Sequence, residues 1–379
     1  MKLLFASDSF KGSLSSEQTI ELLTKAAHEV FGSCETAGVP VADGGEGTAN
    51  AIIKAEGGEI VKCSVHGPCM EVLEASYGVF GKDQAVIEMS AASGLTLVPA
   101  DKRDPRNTTT FGTGELILDA LDRGYRKLSI AIGGSATNDG GMGCVRALGI
   151  RFLDKDGTEL EGFGRDLINV RKIDATGLDR RLKECEITVM CDVKNPLCGK
   201  DGATFTFGAQ KGATPEIQEF LEKGMCNYRD VIREAFSVDC DDIEGAGAAG
   251  GLGAALFVFL GGKMKSGIEA VLDLINFDER LEGVDIVVTG EGRTDWQSCF
   301  GKVMQGVGLR AQAKGIPVLG LSGSLGRDAM KICGYGISSL MTTVNAPMSL
   351  EEALENAQEL YYEGAVRMFR FVKAGMDLR

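Results

Sequence analysis

The feature that most constrains this chain is a recurring junction, in which an apolar β-forming run passes without a spacer into a polar, glycine-containing loop. Leu3–Ala6 (LLFA) leads into Ser7-Asp8-Ser9-Phe10-Lys11-Gly12, and Val39–Ala42 (VPVA) into Asp43-Gly44-Gly45-Glu46-Gly47-Thr48. Ile286–Thr289 (IVVT) leads into Gly290-Glu291-Gly292-Arg293-Thr294-Asp295, and Ser129–Gly143 reads SIAIGGSATNDGGMG. Strands that alternate with helices point to a parallel α/β sheet, where ligands sit outside the carboxyl ends of the strands. Loops that follow strands of one sheet share that edge, so segments hundreds of residues apart can meet there. A turn needs one or two glycines. The five between Gly133 and Gly143 imply that something approaches the backbone closely, either a phosphate or a tightly packed helix.

At 379 residues the chain is long for one core, so two domains are expected. Strands are expected at Met1–Ala6, Val39–Ala42, Asp285–Thr289 and Pro317–Leu321. Helices are expected from a Ser15/Ser16 cap to Phe31, near Gly301–Lys314, and over Leu350–Lys373 behind Ser349. The middle differs: strands flank a Gly81–Lys82 turn within Glu71–Met89, Arg151–Gly164 carries a DKDGTE hairpin turn, and Glu186–Cys191 reads as a strand. The fold class is therefore α/β with two domains. A discontinuous Rossmann-like parallel-sheet domain takes residues 1–60 and 285–379, and an inserted mixed α/β domain takes 61–284.

Composition narrows the partners. Hydrophobic residues make up 44% and charged residues 25%, as in ordinary globular proteins. The net charge of −14, without a basic run, argues against nucleic acid and anionic membrane surfaces. An anionic small substrate would need a local cation. Eleven cysteines without a CxxC pair, and only two histidines, lack the usual zinc-ligand spacing and fit reduced thiols in a cytoplasm. The N-terminus enters a strand pattern directly, with no leader pattern. Gly245–Gly262 is uncharged over eighteen residues but holds seven glycines, so it reads as a loop feeding a buried helix rather than a span.

Cations, carboxylates and backbone donors at strand ends are what phosphoryl transfer needs. Each also has a plainer reading. Asp43 and Asp295 can cap helices, Lys11 can be a solvated surface lysine, Arg293 can pair with Glu291, and Asp192 can form an Asx turn toward Pro196. The Walker A pattern GxxxxGK[ST] and the protein-kinase HRD/DFG set are absent. Two histidines without a nucleophile elbow give poor support to Ser-His-Asp hydrolysis. The GxGxxG at Gly245–Gly250 follows an acidic, non-strand segment, so the dinucleotide fingerprint lacks its strand.

Asp8–Leu14 (DSFKGSL), Ala42–Thr48 (ADGGEGT), Ile87–Leu95 (IEMSAASGL) and Thr110–Gly114 (TFGTG) form an ordered set. It continues with Gly133–Gly141 (GGSATNDGG), Cys191–Leu197 (CDVKNPL), Gly208–Ala213 (GAQKGA), Gly245–Gly253 and Thr289–Lys302. In these stretches, over nearly its whole length, the chain resembles the bacterial glycerate kinase family of the glycerate 2-kinase type. The resemblance implies ATP- and Mg²⁺-dependent phosphorylation of D-glycerate to 2-phosphoglycerate, on a two-domain fold. Phe111, Trp296 and Ser298 depart from the usual motif residues, which bears on loop packing. Under this reading Lys11 and Arg293 are the expected catalytic cations and Asp295 the base. Gly133, Gly134, Ser135, Thr137 and Asn138 would cradle ATP phosphates. Ser9, Asp43 and Glu291 would bind substrate, and Asp192 and Asp139 would hold metal. The competing functions are a glycerate 3-kinase, a hydroxy-acid oxidoreductase and a non-catalytic sugar-acid sensor. The oxidoreductase would need GxGxxG after the first strand, where SDSFKGS stands.

Overall fold

Five short strands pair entirely in parallel, in the spatial order Ile337–Thr342, Val318–Ser322, Ile286–Thr289, Lys2–Phe5, Glu35–Gly38. This is a computed structural model that describes residues 1–45 and 47–378; Glu46, in the second glycine loop, and Arg379 lie outside the described residues. The sheet belongs to a compact unit of Met1–Asp43 and Gly267–Arg379, and Gly44–Ser266 forms a second unit. These divisions fall earlier in the chain than residues 60 and 284, for local reasons. The amide of Ala49, in the helix Thr48–Glu56, donates to Glu88 Oε1 (2.8 Å), at the end of a second-unit strand. The helix Gly267–Leu274 is held to the first unit by Arg310, which pairs with Glu269 and with the nearby Asp278 (2.5 Å each).

Both faces of the first sheet are covered, which its near-continuous apolar strands require. Leu3 and Phe5 pack with Leu23, Ala26, Tyr361 and Phe369, while Leu4, one step out of phase, is equally buried. The helix Ser16–Phe31 starts at a capping box: Ser15 Oγ accepts from the Gln18 amide (3.2 Å), and Gln18 Oε1 accepts from the Ser15 amide (2.8 Å). Two expectations are corrected here. The second strand is Glu35–Gly38 rather than Val39–Ala42: the Val39 amide donates to Phe5 O (2.9 Å), and Pro40 then has no N–H to continue the ladder. The last helix is two, Leu350–Glu355 and Ala357–Asp377, divided where the Asn356 side chain donates to Glu352 O (2.9 Å).

The second unit carries a six-stranded mixed sheet, ordered Lys263–Lys265, Glu186–Met190, Lys127–Ala131, Gln84–Glu88, Val72–Phe80, Glu59–His66. The first four strands are parallel and the last two antiparallel. The expected DKDGTE turn forms, with the Asp154 amide donating to Thr158 O (2.9 Å). Leu153 bridges Glu159 antiparallel across it, and Arg151–Leu153 also pairs antiparallel with Lys172–Asp174. Gly245–Gly251 does feed a buried helix, Leu252–Leu260, and no helix among the described residues is long and apolar enough to cross a membrane.

Two phenylalanines on one helix test the assigned core. Phe369 is fully buried, with its ring 5.5 Å from Phe31 and 6.2 Å from Phe5, whereas Phe371 is 72% exposed. Phe369→Ala is expected to cost about 3–5 kcal/mol in denaturant unfolding, and Phe371→Ala under about 0.5 kcal/mol. Equal costs would show that the helix packs by another face.

Candidate functional site

Strand order in the first sheet reverses at Lys2–Phe5: the chain's next strand lies on one side and all later ones on the other. Loops leaving the two sides of such a reversal diverge and open a crevice at the carboxyl ends. Here they start in register. The Ala6 amide donates to Val288 O (2.8 Å) and the Asp8 amide to Gly290 O (3.0 Å), so the ladder runs on into both loops. A cavity of about 430 Å³ opens at this point. Its lining combines polar and charged residues, Asp8, Ser9, Lys11, Asp43, Glu291, Arg293 and Lys302, with apolar ones, Phe10, Leu14, Val344, Leu354 and Tyr361. The cavity thus gathers Ser9, Lys11, Asp43, Glu291 and Arg293 from the sequence-based set.

Asp295 is not among the residues that line this cavity. Its Oδ1 accepts from the Gln297 amide (2.9 Å) at the start of the turn Trp296–Cys299, and its Oδ2 lies 3.6 Å from Arg293 Nε. Arg293 therefore pairs with Asp295 rather than with Glu291. Glu291 Oε1 accepts from Thr294 Oγ1 (3.0 Å) and from Ser298 Oγ, and burial pushes its carboxyl above the usual range. Asp8 differs. Its Oδ1 accepts from the Ser9 amide (2.7 Å), and burial together with the Asp43 charge raises its pKa to about 6. Sequence reasoning passed over Asp8 and Lys302 as site residues. The available signals were that Asp8 is the first acid beyond the first strand, and that Lys302 stands at the N-cap of Val303–Ala313, where a cation opposes the helix dipole.

The second unit holds the other candidates. Gly133 and Gly134 follow the strand Lys127–Ala131 and are exposed, whereas Ser135, Thr137, Asn138 and Asp139 are turned inward. Asn138 Nδ2 donates to Thr204 Oγ1 (3.2 Å), and Thr137 O accepts from the buried Lys211 Nζ (2.6 Å). Burial lowers the Lys211 pKa to about 7, against the pull of Asp139. Asp139 Oδ2 accepts from the Thr110 amide and hydroxyl (2.7 Å each) and from the Gly143 amide (3.2 Å), and its Oδ1 from the Gly141 amide (3.1 Å). That carboxylate is already saturated. Of the loop's glycines, Gly140, Gly141 and Gly143 are packed too tightly for a Cβ, and Gly134 has φ +76°. Gly133 is free of both constraints: a Cβ there would meet nothing nearer than Gly44 O, at 3.8 Å. Asp192 lies two residues past Met190 as Gly133 lies two past Ala131, and those strand ends are paired in register. Ser266 Oγ donates to Asp192 Oδ1 (2.9 Å).

The model of the glycerate kinase family matches residues 3–373. The chain belongs to the glycerate kinase family. It is 46% identical over 380 residues to the glycerate 2-kinase of Escherichia coli (strain K12), covering 100% of this chain and 98% of that protein. It is 45% identical over 368 residues to the glycerate kinase of Bacillus subtilis (strain 168), covering 97% and 96%. A crystal structure of a candidate glycerate kinase 2 from Salmonella typhimurium LT2 superposes with a TM-score of 0.90 at 43% identity, over 100% of this chain and 99% of that one. As a family member the chain is a kinase, with the α/β fold class expected from its sequence.

The raised Asp8 pKa has a consequence for stability in this family member. Between its ordinary value of 3.8 and about 6 the folded state binds the proton more tightly than the unfolded state, so stability falls as pH rises through that window and then levels. Asp8→Asn removes the effect. Thermal unfolding of wild type and variant should diverge from pH 4 to pH 7, the variant gaining about 1–3 kcal/mol by pH 7. Parallel curves at every pH would show that Asp8 is an ordinary solvated carboxylate.

Proposed function

We propose that the chain transfers the γ-phosphoryl group of ATP to the 2-hydroxyl of D-glycerate, with Mg²⁺. The observation that carries this reading is that one cavity is lined by Lys11, Arg293 and Lys302 together with Asp8, Asp43 and Glu291. Glycerate presents one carboxylate and two hydroxyls. Lys11 and Arg293 hold the carboxylate in a protein of net charge −14, while Ser9, Asp43 and Glu291 serve the hydroxyl side. Lys302 adds its charge to the open amides that begin Val303–Ala313, a combination suited to an anion. Asp8 is better poised than Asp295 to take the proton of the attacking hydroxyl, because its pKa of about 6 lies near working pH, whereas Asp295 caps a turn.

ATP phosphates are assigned to the exposed Gly133–Gly134 backbone, where the fold itself gives no reason for glycine at 133. Asp192, at the neighbouring strand end, would hold Mg²⁺, which neutralises phosphate charge when bound. Asp139 does not fit that role, since its oxygens already accept from protein donors. Ser135, Thr137 and Asn138 support the loop from inside, through buried bonds such as Asn138 to Thr204.

The reaction is tested by ADP release that requires D-glycerate, ATP and Mg²⁺ together, with phosphorus NMR of the product. 2-Phosphoglycerate is expected; 3-phosphoglycerate would move transfer to the other hydroxyl, and no turnover would favour a sensor. In the same assay Lys11→Ala should lower kcat/KM for glycerate by at least about 100-fold, and near wild-type constants for both substrates would remove Lys11 from the site.

Gly133→Val tests the phosphate assignment. The added Cβ has room in the protein, so the melting temperature should stay within a few degrees while KM for ATP rises at least about 10-fold. An unchanged KM would transfer the nucleotide to the apolar lining at Leu354 and Tyr361, the placement that the cavity's size favours next.

A further inference from the structure

We propose that Cys198, Glu222 and Cys226 form a binding site for a thiolate-preferring divalent metal ion of the zinc class. Glu222 and Cys226 are four residues apart on the helix Pro215–Phe236, hence on one face, and Cys198 comes from the loop beyond Glu186–Met190. One ligand atom of each lies within 4.8 Å of the other two. Tetrahedral zinc with Zn–S of about 2.3 Å sets two sulfurs about 3.8 Å apart, so closing on the ion needs shifts below about 1 Å.

The second observation is the state of Glu222. Its side chain is buried; Oε1 accepts from the Gly199 amide (2.5 Å) and from Cys226 Sγ (3.6 Å), while Oε2 has no hydrogen-bond partner among the described residues. A buried carboxylate oxygen without a donor is costly, and a cation relieves it. The neighbouring charges are already committed: Asp241 accepts from the Cys198 amide (2.8 Å) and from Arg229 (2.7 Å). Burial and nearby carboxylates hold both thiols in the protonated form without metal. Binding therefore releases two thiol protons to buffer as two S–metal bonds form. Paired thiols select zinc-like ions over Mg²⁺ or Ca²⁺, and the half-buried Cys226 leaves an approach for the ion and a water as fourth ligand. Spacing rules miss the site because its ligands come from two separate segments. Occupancy would clasp the loop that follows Asp192 to the long helix, apart from the reacting groups.

The test uses the reduced, metal-free full-length chain. Zn²⁺ titration should show one saturable site per chain with Kd below about 1 µM, Co²⁺ should give thiolate charge-transfer absorption, and saturating Zn²⁺ should raise the melting temperature. Cys226→Ser and Glu222→Gln should each weaken binding by at least about 100-fold, with basal turnover unchanged, while Cys63→Ser should bind as wild type does. If Glu222→Gln fails to fold, Cys226→Ser decides. Absence of a one-to-one site, or equal affinity in Cys226→Ser, would overturn the proposal.

Discussion

The candidate site rests on one parallel pairing, Lys2–Phe5 against Ile286–Thr289, made between segments from opposite ends of the chain. It is pinned before its first residue, where the Lys2 amide donates to Asp285 Oδ2 (2.7 Å) and the Asp285 amide to Lys2 O (2.9 Å). It continues beyond its last, to Asp8 and Gly290. Parallel strands need a crossover, and closing a longer loop costs only slowly more entropy, so the chain between them can be a whole folded unit. Because the pairing also marks the reversal of strand order, the gathering of charged residues at the cavity follows from topology. Asp8, Ser9 and Lys11 leave one strand as Glu291 and Arg293 leave its neighbour.

Within that frame, donors around each carboxylate separate scaffold from chemistry. Asp139 is wholly buried but accepts from amides and a hydroxyl on both oxygens, an arrangement that locks the turn between Thr110 and Gly143. Glu291 takes two hydroxyl donors on one oxygen. Asp8 has the Ser9 amide on one oxygen, and burial together with the like-charged Asp43 raises its pKa to about 6. A partly unsatisfied carboxylate lining a cavity is destabilising to the fold, which is what makes Asp8 a candidate for the reaction proposed above. The lysines divide the same way: Lys211 is sealed against Thr137 O, while Lys11 stands exposed at the cavity.

What the sequence made legible follows from burial. LLFA and IVVT are covered on both faces, so apolarity alone marks them as strands. Glu35–Gly38 is an edge strand with no apolar pattern, and the apolar Val39–Ala42 beside it drew the assignment instead. The break at Asn356 depends on one side-chain bond that no periodicity reports. Loops carry their own ambiguity. Ser135, Thr137 and Asn138 have the chemistry of phosphate donors, but the backbone between Gly134 and Gly140 turns them into the interior, and residue type cannot encode that direction. Asp8 was visible in its motif yet distinguishable only through its burial and through Asp43, a neighbour brought up by folding.

Glycine-rich loops yield function by subtraction. A glycine is demanded by a positive φ, by a neighbour that leaves no room for a Cβ, or by something the protein alone does not contain. In GGSATNDGGMG the first two reasons account for every glycine except Gly133, which is exposed and has room for a side chain. Alanine at that position would lower the conformational entropy of the unfolded chain, so a glycine retained there works against stability. Close approach of a ligand to that backbone, as proposed above, would be a reason of the third kind. The position lies two residues beyond Ala131, as the acid Asp192 lies two beyond Met190, its register partner on the adjacent strand, and an anion accompanied by a divalent cation would be met there.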